Sequence, residues 1–309
     1  MDRRRDQGRG APGEGVGSAY KAVPPVSDNL HAARRRLPWL DRGSVWAAVL
    51  PQMLSVLYRL YERRLMHEVQ ANAIPRHIGI ILDGNRRYGR EQGLHDPRQV
   101  YELGARKLDE VLDWCADLGV PAITLWVFST ANLGRDADEV SGILGAVEAK
   151  MRLLAVDPQI HSRRVRVRAV GRLELVPAST VAAIRAAEQA TETYESLTLT
   201  IAIAYGGREE ITDAFRAFLR DQMRSGKTLE QVVEQISPAA IDRHLYTAGL
   251  PDPDLIIRTS GEIRLSGFLL WQSAHSEFYF SDVHWPAFRK IDFLRAIRSY
   301  QQRQRRFGR

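Results

Sequence analysis

Apolar positions along the chain switch between two rhythms. Ile78–Leu82 is an unbroken run of apolar or small residues, the pattern of a strand buried on both faces, as in a parallel sheet. Val100–Leu118 instead repeats at helical steps and stops at Gly119, a natural C-cap. The alternation continues. Ala122–Phe128 reads as strand, Asp136–Ala155 as helix, Val165–Val170 as strand and Pro177–Tyr194 as helix. Leu197–Ala204 is a further strand, followed by a helix over Glu209–Ser225 and shorter ones near Leu229–Gln235 and Pro238–Tyr246. Leu255–Arg258 is a short strand, Phe268–Trp271 and Phe278–Phe280 are apolar and expected to be buried, and Asp292–Arg303 is a closing helix. This order predicts an α/β fold with a mostly parallel central sheet covered by helices on both faces, in one domain over residues 74–309.

The N-terminal part breaks the rhythm. Residues 1–45 are rich in Gly, Pro and Arg with little to bury, and are expected to be disordered. Residues 46–73 form an amphipathic segment in which Pro51 starts a helix running to about Val69. Met53, Leu54, Leu57, Leu60, Tyr61 and Leu65 recur mostly at three- and four-residue steps. The first reading is a helix packed on its own domain; contact with a membrane surface is the alternative. Val45–Leu60 is too short and too interrupted to span a bilayer, and the first forty residues lack the apolar run of a secretory signal.

Composition narrows the function. The chain has 309 residues, 44% hydrophobic and 26% charged, with a formal charge of +7. The excess favours acidic partners such as phosphorylated metabolites, anionic lipid or nucleic acid. Much of it sits in Arg3–Arg5, Arg34–Arg36 and Arg303–Arg309, and no aromatic-basic interleaving accompanies it, so nucleic acid is not expected. The single cysteine, Cys115, excludes an internal disulfide and suits a reducing, cytoplasmic setting.

Three stretches carry candidate chemistry. In HIGIILDGNRRYGR a buried strand ends at Asp83-Gly84-Asn85, and Arg86, Arg87 and Arg90 follow. Ligands in open α/β sheets bind at the carboxyl ends of strands. There Gly84 would let backbone N–H groups approach a diphosphate, Arg87 would grip two oxygens and Asp83 would hold a bridging magnesium ion. A plain turn with solvated arginines is the bland alternative. The second stretch, Phe128 to Arg135, puts Ser129 and Thr130 at another strand end, where they either line the same crevice or serve as turn and capping groups. In the third, Arg258 and Arg264 flank hydroxyls and glycines that suit a second anion cradle. Beyond it Glu277 sits among aromatic residues, where a carboxylate calls for a metal or an arginine. Two anion cradles and one metal-suited carboxylate point to joining two phosphorylated apolar substrates.

HIGIILDGNRR, LWVFSTANLGR, LTLTIAIAYGGREEI, DPDLIIRTSGEIRLSGFLLWQ, DVHWPAF and the terminal RRFG, in this order, resemble the cis-prenyltransferases of the undecaprenyl diphosphate synthase family. The resemblance implies that family's fold, a homodimer and a hydrophobic tunnel beneath the diphosphate site. It also implies Mg2+-dependent addition of isopentenyl diphosphate to an allylic diphosphate with a cis double bond. By position it implies Asp83 and Asn132 as catalytic residues. Gly84, Asn85, Arg86, Arg87 and Tyr88 would cradle the allylic diphosphate, with Ser129, Thr130 and Leu133 nearby. Arg135, Arg258, Arg264, Leu265 and Ser266 would hold isopentenyl diphosphate, and Asp83 and Glu277 the metal. The terminal RRFG would reach the neighbouring subunit's site.

Three departures bear on the product. Val100-Tyr101 stands where long-chain members carry Gly-His, the arginine expected just before it is displaced near Pro97-Arg98, and Ala131 replaces a usual glutamate. The DGNRR loop, the Val100-Tyr101 region and RLSGFLLWQSA look most like the actinobacterial short-chain subgroup that makes (2Z,6E)-farnesyl diphosphate from geranyl diphosphate. Val127, implied to face the growing chain, is the expected chain-length residue. A long-chain carrier-lipid synthase is the alternative. A non-catalytic partner subunit would be expected to lose Asp83, Arg87, Arg258 and Arg264, all of which are present.

Overall fold

The computed structural model describes residues 45–303, with side chains from residue 56. The expectations for residues 1–44 and for the RRFG terminus lie outside the described residues. The chain divides into residues 1–58 and 59–309. The described part of the first is the leading half of helix α1, Val45–Gln70. The helix runs through Pro51 rather than starting there, which costs one backbone hydrogen bond.

The second unit begins with the remainder of α1. Leu65 and Val69 are fully buried, and Arg295 lies over the Tyr61 ring at 5.5 Å. Gln301 Nε2 donates to the carbonyls of Val69 and Ala73, so residues 59–73 belong with this unit. Six strands follow: β1 His77–Ile81, β2 Ala122–Ser129, β3 Val165–Val170, β4 Leu197–Tyr205, β5 Leu255–Arg258 and β6 Glu277–Phe280. They form one sheet in the order β3-β4-β2-β1-β5-β6, every pairing parallel. Ile78, Ile80, Ile123, Leu125, Leu199 and Ile203 are all but inaccessible, as a sheet covered on both faces requires. The edge strands β3 and β6 are less covered, β3 exposing Arg166, and β6 departs furthest from the expectation. In β6, Phe278 to Phe280 are only half-buried rather than buried as expected.

The helices between strands are α2 Asn85–Glu91, α3 Pro97–Leu118, α4 Ala137–Leu154, α5 Pro158–Ser162 and α6 Ala178–Thr191. After β4 come α7 Gly207–Arg224, α8 Leu229–Gln235 and α9 Pro238–Asp242, and α10 Lys290–Gln302 closes the chain. α2 and the short α5 are elements that hydrophobic rhythm misses: neither NRRYGRE nor PQIHS has an apolar stripe. α3 begins three residues earlier than its apolar pattern, because Asp96 caps the Arg98 N–H and Pro97 occupies the first turn. Pro177 and residues after Thr191 fall outside α6, and α9 ends at Asp242 rather than Tyr246. Phe268–Trp271 forms no strand; Phe268 and Leu269 are buried while Leu270 is partly exposed.

β1 and β2 sit at the centre of the sheet with their carboxyl ends side by side. Near the end of β2 the pairing slips, Trp126 facing Ala202 but Phe128 facing Ile203. Such a bulge re-aims the side chain between them, here Val127.

Candidate active site

A cavity of about 470 Å³ opens at the carboxyl ends of β1, β2 and β5. Its wall at β1 is Asp83, held by its own backbone. Thr259 Oγ1 donates to the Asp83 carbonyl at 2.7 Å, and the Asp83 N–H donates back to that hydroxyl at 3.0 Å. Gly84 follows at φ 100°, where a Cβ would sit 2.6 Å from His284 Nδ1, so only glycine fits. Its N–H donates to Asp83 Oδ1 at 2.7 Å.

Guanidiniums surround this carboxylate. Arg258 is buried at the end of β5, and its Nη2 donates to Asp83 Oδ2 at 2.7 Å. Its Nη1 donates to the Arg264 carbonyl at 2.5 Å and to Ser266 Oγ at 2.8 Å. Arg87 Nη2 lies 3.5 Å from Asp83 and 3.2 Å from Glu262, which also pairs with Arg264. Burial pulls the Asp83 carboxyl upward. The hydrogen bond and charge of Arg258, the Gly84 N–H and Arg87 outweigh it, and the net pKa lies below the ordinary value.

A second carboxylate stands behind the lining residues Arg86, Tyr101 and Arg135. Glu139, on α4, accepts from Arg135 Nη1 at 2.8 Å and from the Tyr101 hydroxyl at 2.8 Å, and pairs with Arg86 at 3.4 Å. Three acidic residues thus hold five arginines around one opening, with their remaining N–H groups available to an anion. Asn132 lines the same cavity. Its Oδ1 accepts from the Ser129 N–H while Ser129 Oγ accepts from the Asn132 N–H, so Ser129 serves as a cap and lines the crevice as well. The Asn132 amide Nδ2 has no hydrogen bond among the described residues.

Of the expected residues, Asp83, Gly84, Asn85, Arg86, Arg87, Val127, Ser129, Asn132, Arg135, Arg258, Arg264 and Ser266 line this cavity. Tyr88, Thr130, Leu133 and Leu265 do not; Leu265 packs instead against the apolar cluster around Phe268. Glu277 is not near Asp83 in the same chain. Parallel pairing sets it opposite Leu255 at the start of its strand, whereas Asp83 lies beyond the far end of β1. The offset is five residues, about 16 Å along the strand direction. Glu277 pairs with Arg303 at 2.6 Å. Within one chain, therefore, Asp83 and Glu277 are not brought together at one metal site. Arg90, named with the first stretch, also lines the cavity; Tyr101, Glu139 and Glu262 were missed, because a carboxylate placed to orient arginines has no sequence signature apart from lying near them.

Beneath the cradle lies a second, apolar cavity of about 60 Å³, lined by Leu82, Leu108, Leu125, Val127, Val147 and Trp285 among others. Val127 borders both cavities. The arrangement can hold a polyanionic head among arginines and an apolar tail below it.

A family model described as putative undecaprenyl diphosphate synthase matches residues 81–308. An isoprenyl transferase of Deinococcus radiodurans is 55% identical over 80% of this chain and 90% of its own. A (2Z,6E)-farnesyl diphosphate synthase of Thermobifida fusca is 52% identical over 82% of this chain and 97% of its own. The crystal structure of lavandulyl diphosphate synthase from Lavandula x intermedia with dimethylallyl diphosphate superposes with a TM-score of 0.69 at 30% identity, covering 76% of this chain and 99% of that one. Motif order, the all-parallel sheet and the arginine-lined cavity over an apolar pocket agree with these matches, and the chain belongs to the undecaprenyl diphosphate synthase family of cis-prenyltransferases.

Proposed function

We propose that the protein condenses isopentenyl diphosphate with geranyl diphosphate and releases (2Z,6E)-farnesyl diphosphate. The observation that carries the short product is the narrow apolar cavity that continues from the cradle past Val127. Lengthening the tail forces it further along this space, and overpacking a well-packed apolar wall is costly. The 52% identity to a farnesyl diphosphate synthase supports the same reading. The competing reading, a long-chain product, draws on the description of the family model.

In this reading Arg86, Arg87 and the backbone at Gly84 hold the allylic diphosphate. Arg135, Arg264 and Ser266 hold isopentenyl diphosphate, while Arg258 fixes Asp83 between them. The allylic C–O bond breaks with its electron pair leaving on diphosphate, a C–C bond forms to the terminal alkene carbon (C4) of isopentenyl diphosphate, and the C2 methylene beside the now electron-poor C3 loses a proton to the released diphosphate, leaving the new C2=C3 double bond. Preorganised guanidiniums stabilise the charge that gathers on the leaving group. The Asn132 amide orients the reacting ends.

Asp83 fits a magnesium site of the kind completed by substrate: one carboxylate with phosphate oxygens and water for the rest. No group of three metal-suited side chains occurs among the described residues, consistent with that division. Bound there, the ion would supply charge for the departing diphosphate. The resemblance further supports a homodimer. No helix among the described residues is long and apolar enough to cross a membrane. Leu57 and Leu60 on α1 are more than half exposed, which supports peripheral contact.

The test is incubation with Mg2+, labelled isopentenyl diphosphate and separate dimethylallyl, geranyl and farnesyl primers, followed by chromatography of the products. A fifteen-carbon product from geranyl diphosphate is expected. Fifty- or fifty-five-carbon products from the wild type would promote the long-chain reading. EDTA should abolish turnover and excess Mg2+ restore it.

A further inference from the structure

We propose that Lys150, anchored to Asp109, is the stop that limits product length. The inference rests on the reading above and adds what closes the tail cavity at its far end.

Depth is marked along α4. Glu139 marks the level of the head cavity, bonded to Tyr101 and Arg135, which line it. One turn further, Ile143 borders both cavities. Ala146 and Val147 come next, then Lys150 and Met151, all lining the apolar cavity. Lys150 is eleven residues beyond Glu139, about 16 Å down the helix at 1.5 Å per residue. α3 runs alongside with the same progression: Tyr101 at the mouth, Ala105 one turn on, Leu108 deeper. The residue after Leu108 is Asp109.

Lys150 is a cation in an apolar wall. The residue is 9% exposed, and every other deep member of the wall is apolar. Its stem therefore lines the cavity while its ammonium reaches outward to Asp109, whose side chain is 44% exposed. The pair bridges α3 and α4 where the cavity ends.

New isoprene units enter at the diphosphate end, so each addition pushes the tail's far end deeper. A tail that has filled the space below Val127 next meets the Lys150 stem. To go further it must displace the stem, part the ion pair and leave an ammonium against hydrocarbon, which is far more costly than meeting another leucine. The penalty falls on additions that lengthen the tail past this point and spares those that fit above it.

The experiment compares Lys150→Ala, Lys150→Met and Lys150→Arg with wild type at equal conversion, using geranyl diphosphate, excess labelled isopentenyl diphosphate and Mg2+. Folding is checked by circular dichroism melting. Lys150→Ala is expected to raise the share of products longer than fifteen carbons about tenfold, the scale of relieving a modest overpacking penalty. Lys150→Met keeps the stem's bulk but loses its anchor, and should also lengthen the product. Lys150→Arg keeps the anchor and should restore the short product. An unchanged length distribution in a folded, active Lys150→Ala variant overturns the inference; should that variant fail to fold, the same result in Lys150→Met does so. Absence of any condensation by the wild type strikes the proposed function instead, and the two failures are distinct.

Discussion

At the residue scale the site is a balance of carboxylates against guanidiniums. Asp83 carries the first prediction. Asp83→Ala should leave the fold intact and cost several kcal/mol of barrier, on the order of a thousandfold in rate, because the charge stabiliser at the leaving group is lost; single-turnover kinetics of a folded variant measures it. The second concerns pH. Arg258 and its neighbours hold the Asp83 carboxyl below its usual range. A depressed native pKa stabilises the fold above the unfolded value, near 3.9, and that contribution is lost as pH falls through the native value. Melting temperature recorded from pH 6 to pH 2 should therefore fall more steeply for wild type than for Asp83→Asn. The third separates two arginines that sequence treats as equivalent. Arg264 is exposed and pairs only within its loop, whereas Arg258 is buried against Asp83. Arg264→Lys should chiefly raise KM for isopentenyl diphosphate. Arg258→Lys should lower kcat as well, since a lysine cannot serve Asp83, Ser266 and the Arg264 carbonyl together.

At the element scale, short pieces position the chemistry. α2 is anchored by close packing at Gly89, where an added Cβ would lie 2.5 Å from Val100 Cγ2 on α3. Gly89→Ala should push α2 off α3, shifting Arg86 and Arg87, and destabilise the protein by about 1–3 kcal/mol as overpacking does; chemical denaturation and KM for the allylic primer report the two effects. The loop after β5 holds Ser260, Ser266 and Leu269 at positive φ. Each costs roughly 1–3 kcal/mol and is typical of a site built by its surroundings. α1 has two characters. Leu65 and Val69 are core residues, while Leu57 and Leu60 are exposed. Leu57→Glu with Leu60→Glu should leave melting unchanged and weaken binding to anionic vesicles in a flotation assay; unfolding would assign both leucines to the core.

At the scale of the whole molecule, the parallel sheet was legible because its inner strands are nearly continuous apolar runs and the helices between them repeat at 3.6 residues. Val165–Val170, Leu229–Gln235 and Leu255–Arg258 coincide residue for residue with the expectation. The first candidate cradle was legible because Asp83, Gly84 and the following arginines are adjacent along the chain. What local pattern determines is element type and the chemistry carried within one loop. The remainder depended on sequence-distant contacts. α2 has no apolar stripe to betray it, and the aim of Val127 depends on a slip in register against β4. That Glu277 lies at the opposite end of the sheet from Asp83 follows from parallel pairing with β5. The pairing of Lys150 with Asp109 beside the apolar cavity depends on α3 and α4 running side by side, which puts Asp109 within reach of a residue forty-one positions away. Hydrophobic periodicity records how each segment meets its own surroundings. Which side chains from different segments meet one another is decided only when the sheet order, the register and the helix packing are set together.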